Sequence, residues 1–223
     1  MAKKIVVTNK LNYEIITKMK KALLIITLTC AVSFLKAQKT TVWASGGVTL
    51  SSLYETYNSN KSLRIGPEVV LSLRANYPGN WGYETGIYYA SKGTKFNTAG
   101  QSVHLDYAGA YFNVLYDFPL KSNDDFFVAP GIFLADAVSG KIKYTDSVTS
   151  KLDFGGAWKS FDAGVNIRVG YVINNTVTIG AHYDIGVFNI YSSTDFRGRS
   201  NKGRSSSAAV DFSVNLSKLI GKK

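Results

Sequence analysis

The chain has two histidines, His104 and His182, and the second has a carboxylate close by. His182 and Asp184 are two residues apart, which in an extended chain places both on one face. With a serine supplied from another strand they would form a nucleophile, base and orienting acid of the kind used in acyl transfer. His182 falls in the middle of an alternating segment rather than at its end, however, so it reads as one member of a polar network. No catalytic group is assigned. Two distant histidines and a single cysteine give no metal-ligand spacing. Gly155-Gly156 reads as an ordinary loop rather than a phosphate cradle. No cofactor is expected. A second group is basic: Arg197, Arg199, Lys202 and Arg204 lie within a few residues of one another beside Phe196. Such a cluster suits an anionic surface.

The elements that must position these groups are strands. Phe161, Ala163, Val165, Ile167, Val169 and Tyr171 alternate with Asp162, Gly164, Asn166, Arg168 and Gly170. After Asn174-Asn175, Val177, Ile179, Ala181, Tyr183, Ile185 and Val187 alternate with Thr178, Gly180, His182, Asp184 and Gly186. Period-two alternation on both sides of a tight turn predicts a β-hairpin. One face is apolar and ends in tyrosines. The other carries glycines and charges. Each strand is long enough to cross a bilayer when tilted.

The same pattern recurs along the chain. Thr41 to Leu53, Arg64 to Tyr77, Trp81 to Lys92, Val103 to Phe118, Phe126 to Gly140 and a last strand around Ala208 to Leu216 bring the expected total to eight. The start of the fourth strand does not follow the register of the rest, which predicts a bulge or a frayed end. Pro130 sits awkwardly in the fifth. Connections alternate long and short, with short turns at Pro78, Ser122 and Asn174. That places all long loops at one end, as in barrels with short periplasmic turns and longer external loops.

Export is read from the N-terminus. Residues 19–38 read MKKALLIITLTCAVSFLKAQ, with two lysines, an apolar run too short to span a membrane and a small residue near the cut. Residues 1–18 read as a mis-assigned start or an extension of the basic region, and 39–223 as the barrel domain. Cys30 falls inside the apolar run, and Thr27-Leu28-Thr29 is a poor lipid-attachment context. The mature chain then has no thiol chemistry. The first 38 residues carry seven lysines and one glutamate, so +6 of the formal +11 lies there and +5 remains beyond. Nucleic acid is therefore not an expected partner.

Faces decide the architecture. Arg64, Glu68, Arg74, Glu84, Asp162, Arg168, His182, Asp184 and Asp211 share the non-apolar side of their strands, while Tyr77, Trp81, Tyr116 and Tyr171 end the apolar side. A soluble barrel hides its apolar face. A membrane barrel shows that face to lipid and encloses the charges. Unpaired backbone is intolerable in hydrocarbon, so the sheet must close. The expectation is an all-β, eight-stranded, antiparallel up-and-down transmembrane barrel. Side chains nearly fill so narrow a barrel, and buried charges must pair. The lumen is expected to be plugged by a salt-bridge network.

The segments FDAGVNIRVGYVI and VTIGAHYDIGVFNI resemble the closing strands of the PorT-like outer-membrane β-barrel domain family of Gram-negative bacteria. Phe161, Asp162, Gly164, Tyr183, Gly186, Asn189 and Ile190 carry the match. The chain departs from that family in having Gly109 and Tyr111 where a glutamate and a proline are common. It also ends LSKLIGKK rather than in an aromatic residue. The resemblance implies an outer-membrane location and, for a few members, a tie to protein secretion.

Three functions stay open on these grounds: a monomeric structural or interaction barrel, a small-solute or ion conduit, and a soluble exported lipocalin-like binder. Lumen charges of both signs oppose the second, and the apolar outer face opposes the third. The expected partners are outer-membrane lipid and lipopolysaccharide, together with envelope or secretion proteins. An enzyme is not expected.

Overall fold

A computed structural model describes residues 39–55, 61–96, 100–120, 124–144, 148–194 and 200–220. The proposed signal segment, Arg197 and Arg199 lie outside the described residues. Eight long strands form the barrel: β1 Lys39–Glu55, β2 Lys61–Asn76, β3 Trp81–Phe96, β4 Gln101–Pro119, β5 Asp125–Lys143, β7 Phe161–Ile173, β8 Val177–Gly186 and β10 Ser200–Asn215. Two short strands that alternation did not predict, β6 Thr149–Lys151 and β9 Tyr191–Thr194, extend β5 and β10 at the loop end. All pairs are antiparallel between neighbours, and β1 also pairs with β10 from Trp43↔Asn215 to Glu55↔Gly203. That pairing closes the sheet, so the barrel has no open edge. Closure is reinforced by α1 Leu216–Ile220, where Ser217 Oγ accepts from Val42 N at 2.8 Å.

The three short connections gather at one end. Asn174 and Asn175 both have positive φ, 49° and 52°, and Thr176 N bonds Ile173 O at 2.9 Å. This is the turn whose twist suits a tight hairpin, and Asn tolerates that backbone better than most residues. Asp124 from the neighbouring turn caps Asn174 N at 2.9 Å. Gly79 and Asn80 supply the positive φ at the Pro78 turn.

The expected alternation holds in each long strand. Ile87, Val165, Ile167, Ile179, Ile185 and Val210 stand exposed on the outer wall, and the charged set other than Arg64 points inward. Near the short turns the outer wall carries an aromatic chain. Trp81 meets Tyr116 edge to face at 4.8 Å between centroids, and Tyr116 meets Phe118 at 4.8 Å. Phe161 and Phe188 pair at 5.7 Å near the other rim. From Ala108 to Tyr116 the outer face of β4 spans about 21 Å of height, taking ~3.4 Å per residue and a tilt of about 40°. That is close to the apolar band such barrels present to lipid.

The irregularity expected at the start of β4 falls on its partner strand, and a second one occurs on β2. β4 keeps one register throughout. The slip lies between Asp106 and Tyr107, and the unpaired residue is Val138 on β5. A second slip separates Leu63 from Glu68 on β2, opposite Thr94 and Ala90. Pro130 does face outward, and the β4–β5 ladder has no partners between Asn113↔Gly131 and Tyr116↔Val128, as a residue without an N–H requires.

Inward-facing glycines make room for rings. Gly86, Gly109, Gly164 and Gly170 are the direct cross-strand partners of Tyr111, Tyr88, Phe133 and Phe127. A Cβ at Gly170 would lie 2.5 Å from the Phe127 ring, and one at Gly109 would lie 2.7 Å from that of Tyr88. Each ring lies over its glycine partner, so the narrow interior fills without clash.

Candidate functional site

The inner wall brings the charged residues together in two layers. Nearer the short turns, Arg74 on β2 and Glu84 on β3 are cross-strand partners. Arg74 donates Nε at 3.1 Å and Nη2 at 2.7 Å to Glu84 Oε2, a fork on one oxygen. Arg168 reaches in from β7. Its Nη1 donates to Glu84 Oε1, while Nη2 donates to Asp211 Oδ1 at 2.6 Å and to Ser213 Oγ at 3.1 Å. The Tyr111 hydroxyl donates to Glu84 Oε1 at 2.7 Å. Glu84, with no exposed surface, is thus the hub of two guanidiniums and a phenol. Rings complete the shell. The Arg74 guanidinium lies 4.3 Å from the Phe127 centroid and 5.1 Å from that of Trp43, within cation–π range.

Nearer the long loops, Lys92 Nζ on β3 meets Asp184 Oδ2 on β8 at 2.8 Å. Strands β3 and β8 stand opposite each other in the ring of eight, so this pair crosses the lumen. Ser207 Oγ donates to the same carboxylate oxygen at 3.1 Å. His182 links the layers: Nε2 is 3.5 Å from Glu68 and 3.9 Å from Asp184, and Nδ1 is 3.8 Å from Asp211. Asp162 accepts from Ser205 Oγ. Gly186 allows that contact, since a Cβ there would fall 2.4 Å from the serine oxygen. Between the layers lies a cavity of about 30 Å³ bounded in part by Tyr88, Asn113, Phe133 and Asn166. Space of that size holds about two water molecules.

Eight of the nine residues expected in the lumen network lie in these layers. Arg64 does not. It is buried in the β2–β3 irregularity, where its guanidinium donates to Lys92 O at 2.8 Å and to Ser91 Oγ at 3.1 Å. The slipped register carries it into the wall. Lys92 and Tyr111 also face the lumen, and the expected network does not include them. Parity along β3 and β4 was the available signal.

The interior is also less polar than expected. At the loop end Leu53, Val103, Leu105, Tyr107, Trp158 and Ile190 pack into an apolar cluster. Trp158 and Tyr191 meet at 4.7 Å between ring centroids, and Ser192 N bonds Ala157 O at 2.8 Å, drawing the loops over the mouth. This explains the inward apolar residues at the start of β4 that looked out of register. They face a cap, where their neighbours farther down face charges.

No group of three or more His, Cys, Asp or Glu that could hold a metal occurs among the described residues. Among the described residues His182 has three carboxylates about it, Glu68, Asp184 and Asp211, a geometry that bridges the two layers.

Residues 31–192 match the outer membrane protein beta-barrel domain family. The chain belongs to this family. No curated protein matches it. Among solved structures, Neisserial surface protein A is similar at 12% identity and a TM-score of 0.46, over 80% of this chain and 100% of that one. The attachment invasion locus protein Ail of Yersinia pestis is similar at 10% identity and 0.41, over 79% and 99%. OprG of Pseudomonas aeruginosa is similar at 10% and 0.46, over 81% and 97%. In an outer membrane barrel the exposed aliphatic belt faces lipid and the enclosed charges are shielded from it. No described helix is long and apolar enough to cross a membrane.

Proposed function

We propose that the protein is a monomeric integral outer-membrane barrel with a structural or interaction role, acting through its loops and rim, with a lumen closed to solutes and no catalytic activity. The filled interior carries this reading. The Arg74–Glu84–Arg168–Asp211 chain and the Lys92–Asp184 pair cross the lumen at two heights, and the Trp158 cluster covers the mouth. A conduit would need a continuous water column past these groups. A lipocalin-like binder would need its apolar face inside. The PorT-like resemblance fits the same picture. Asp162, Gly164, Gly186 and Ile190 of the matching motif serve lumen bonding, ring clearance and the cap. Residues 19–38 act as the export signal. The long loops and rim meet lipopolysaccharide and envelope proteins, some of them belonging to secretion machinery. Lys202 and Arg204 lie in β10, paired with β9 and β1, rather than in a loop as the sequence suggests; both are exposed at the loop end and suit that role. The test is conductance in planar bilayers with the folded protein. No current steps are expected. Steady channels in the native protein would overturn the closed lumen.

A further inference from the structure

We infer that the outer wall of β3–β6 above the apolar belt binds the phosphate groups of an outer-leaflet glycolipid, through Lys95, Lys141, Lys143 and Lys151. This rests on the proposed orientation, with the long loops toward the outer leaflet. The register makes the site. His104, Lys141 and Lys151 are successive cross-strand partners on one row, and Lys95, Ser102 and Lys143 on the next. Directly paired residues share a face, so these lysines project from one patch. Sequence spacing does not show this, because residues 95, 141 and 151 come from three strands.

Two observations point to the occupant. The first is charge. Lys141 and Lys151 stand directly opposite, an arrangement that repels unless an anion lies between them. All four lysines are exposed, and among the described residues none has an ion-pair partner. The nearby carboxylates do not neutralise the row. Asp106 is held by Ser91 Oγ at 2.5 Å, the hydroxyl that Arg64 also binds, while Asp136 and Asp153 stand exposed off it. The second is height. His104 lies four residues beyond Ala108, about 10 Å above the top of the belt at ~3.4 Å per residue and a tilt of about 40°. That is the level of lipid head groups. The belt below is continuous and apolar, through Ile87, Ala110 and Leu134. An anion with acyl chains fits both surfaces at once, whereas a soluble polyanion would leave the belt unused. Several phosphates on one head group suit several lysines better than one phosphodiester does.

The test uses the full chain inserted in phosphatidylcholine nanodiscs containing bisphosphorylated lipid A, with retained lipid counted by native mass spectrometry. Replacing Lys95, Lys141, Lys143 and Lys151 by Gln should lower retention at least about tenfold, given the contribution of each basic group at an anionic surface. The milder K141Q/K151Q pair should give an intermediate loss. Fully dephosphorylated lipid A should not distinguish native from variant. Equal lipid A retention by native and variants overturns the site. Equal retention of phosphatidylglycerol and lipid A by the native protein overturns the glycolipid assignment. Heat-dependent gel mobility, read in parallel, reports the folded barrel. A native protein that never inserts overturns the outer-membrane reading itself, while an inserted barrel with lysine-independent lipid overturns only this inference.

Discussion

Glu84→Gln removes one charge from the centre of the lumen and keeps the side-chain shape. Glu84 is fully buried and takes bonds from Arg74, Arg168 and Tyr111. Without its charge, Arg74 loses its carboxylate and Arg168 keeps only Asp211. Removing one partner of a buried pair costs about 3–5 kcal/mol, because the remaining charge stays desolvated. An exposed pair would cost about 0–1 kcal/mol. With a urea slope of about 2–3 kcal/mol/M, the unfolding midpoint should fall by about 1 M or more. The assay is reversible urea unfolding in detergent or lipid, followed by gel mobility and tryptophan fluorescence. Arg168→Met should cost a similar amount, since Glu84 keeps Arg74 but Asp211 loses its guanidinium partner. A cost below about 1 kcal/mol for Glu84→Gln would show that water screens the network, and the closed-lumen argument would fail with it.

Gly170→Ala should destabilise by about 1–3 kcal/mol through overpacking, because its Cβ meets the Phe127 ring at 2.5 Å. Phe127→Leu in the same chain should recover part of that loss, and failure of the rescue in urea unfolding would refute the steric account. Ile87→Arg places a charge on the exposed belt and should cost about 2–4 kcal/mol in lipid. A cost under about 1 kcal/mol would place that wall outside hydrocarbon.

Period-two alternation made the faces legible from sequence, since adjacent side chains of a strand must point opposite ways. That physical rule identified the lipid-facing Val165, Ile167, Ile179 and Ile185, the inward Glu84, Arg168 and Asp184, and the tight Asn174-Asn175 turn. It also implied closure, because an open edge cannot exist in lipid. Alternation says which face a residue takes, but it does not say what that residue meets across the barrel. The Lys92–Asp184 pair joins residues 92 apart in sequence, from opposite strands. The burial of Arg64 in the wall follows from a slip that only strand pairing reveals. The cap over the mouth depends on Leu53, Val103, Trp158 and Ile190 converging from separate loops and strands. The lysine rows exist only because β3, β4, β5 and β6 align at a particular register. Local periodicity determined the direction of each side chain. Barrel closure and register decided its neighbours, because those are set by long-range pairing of the whole chain.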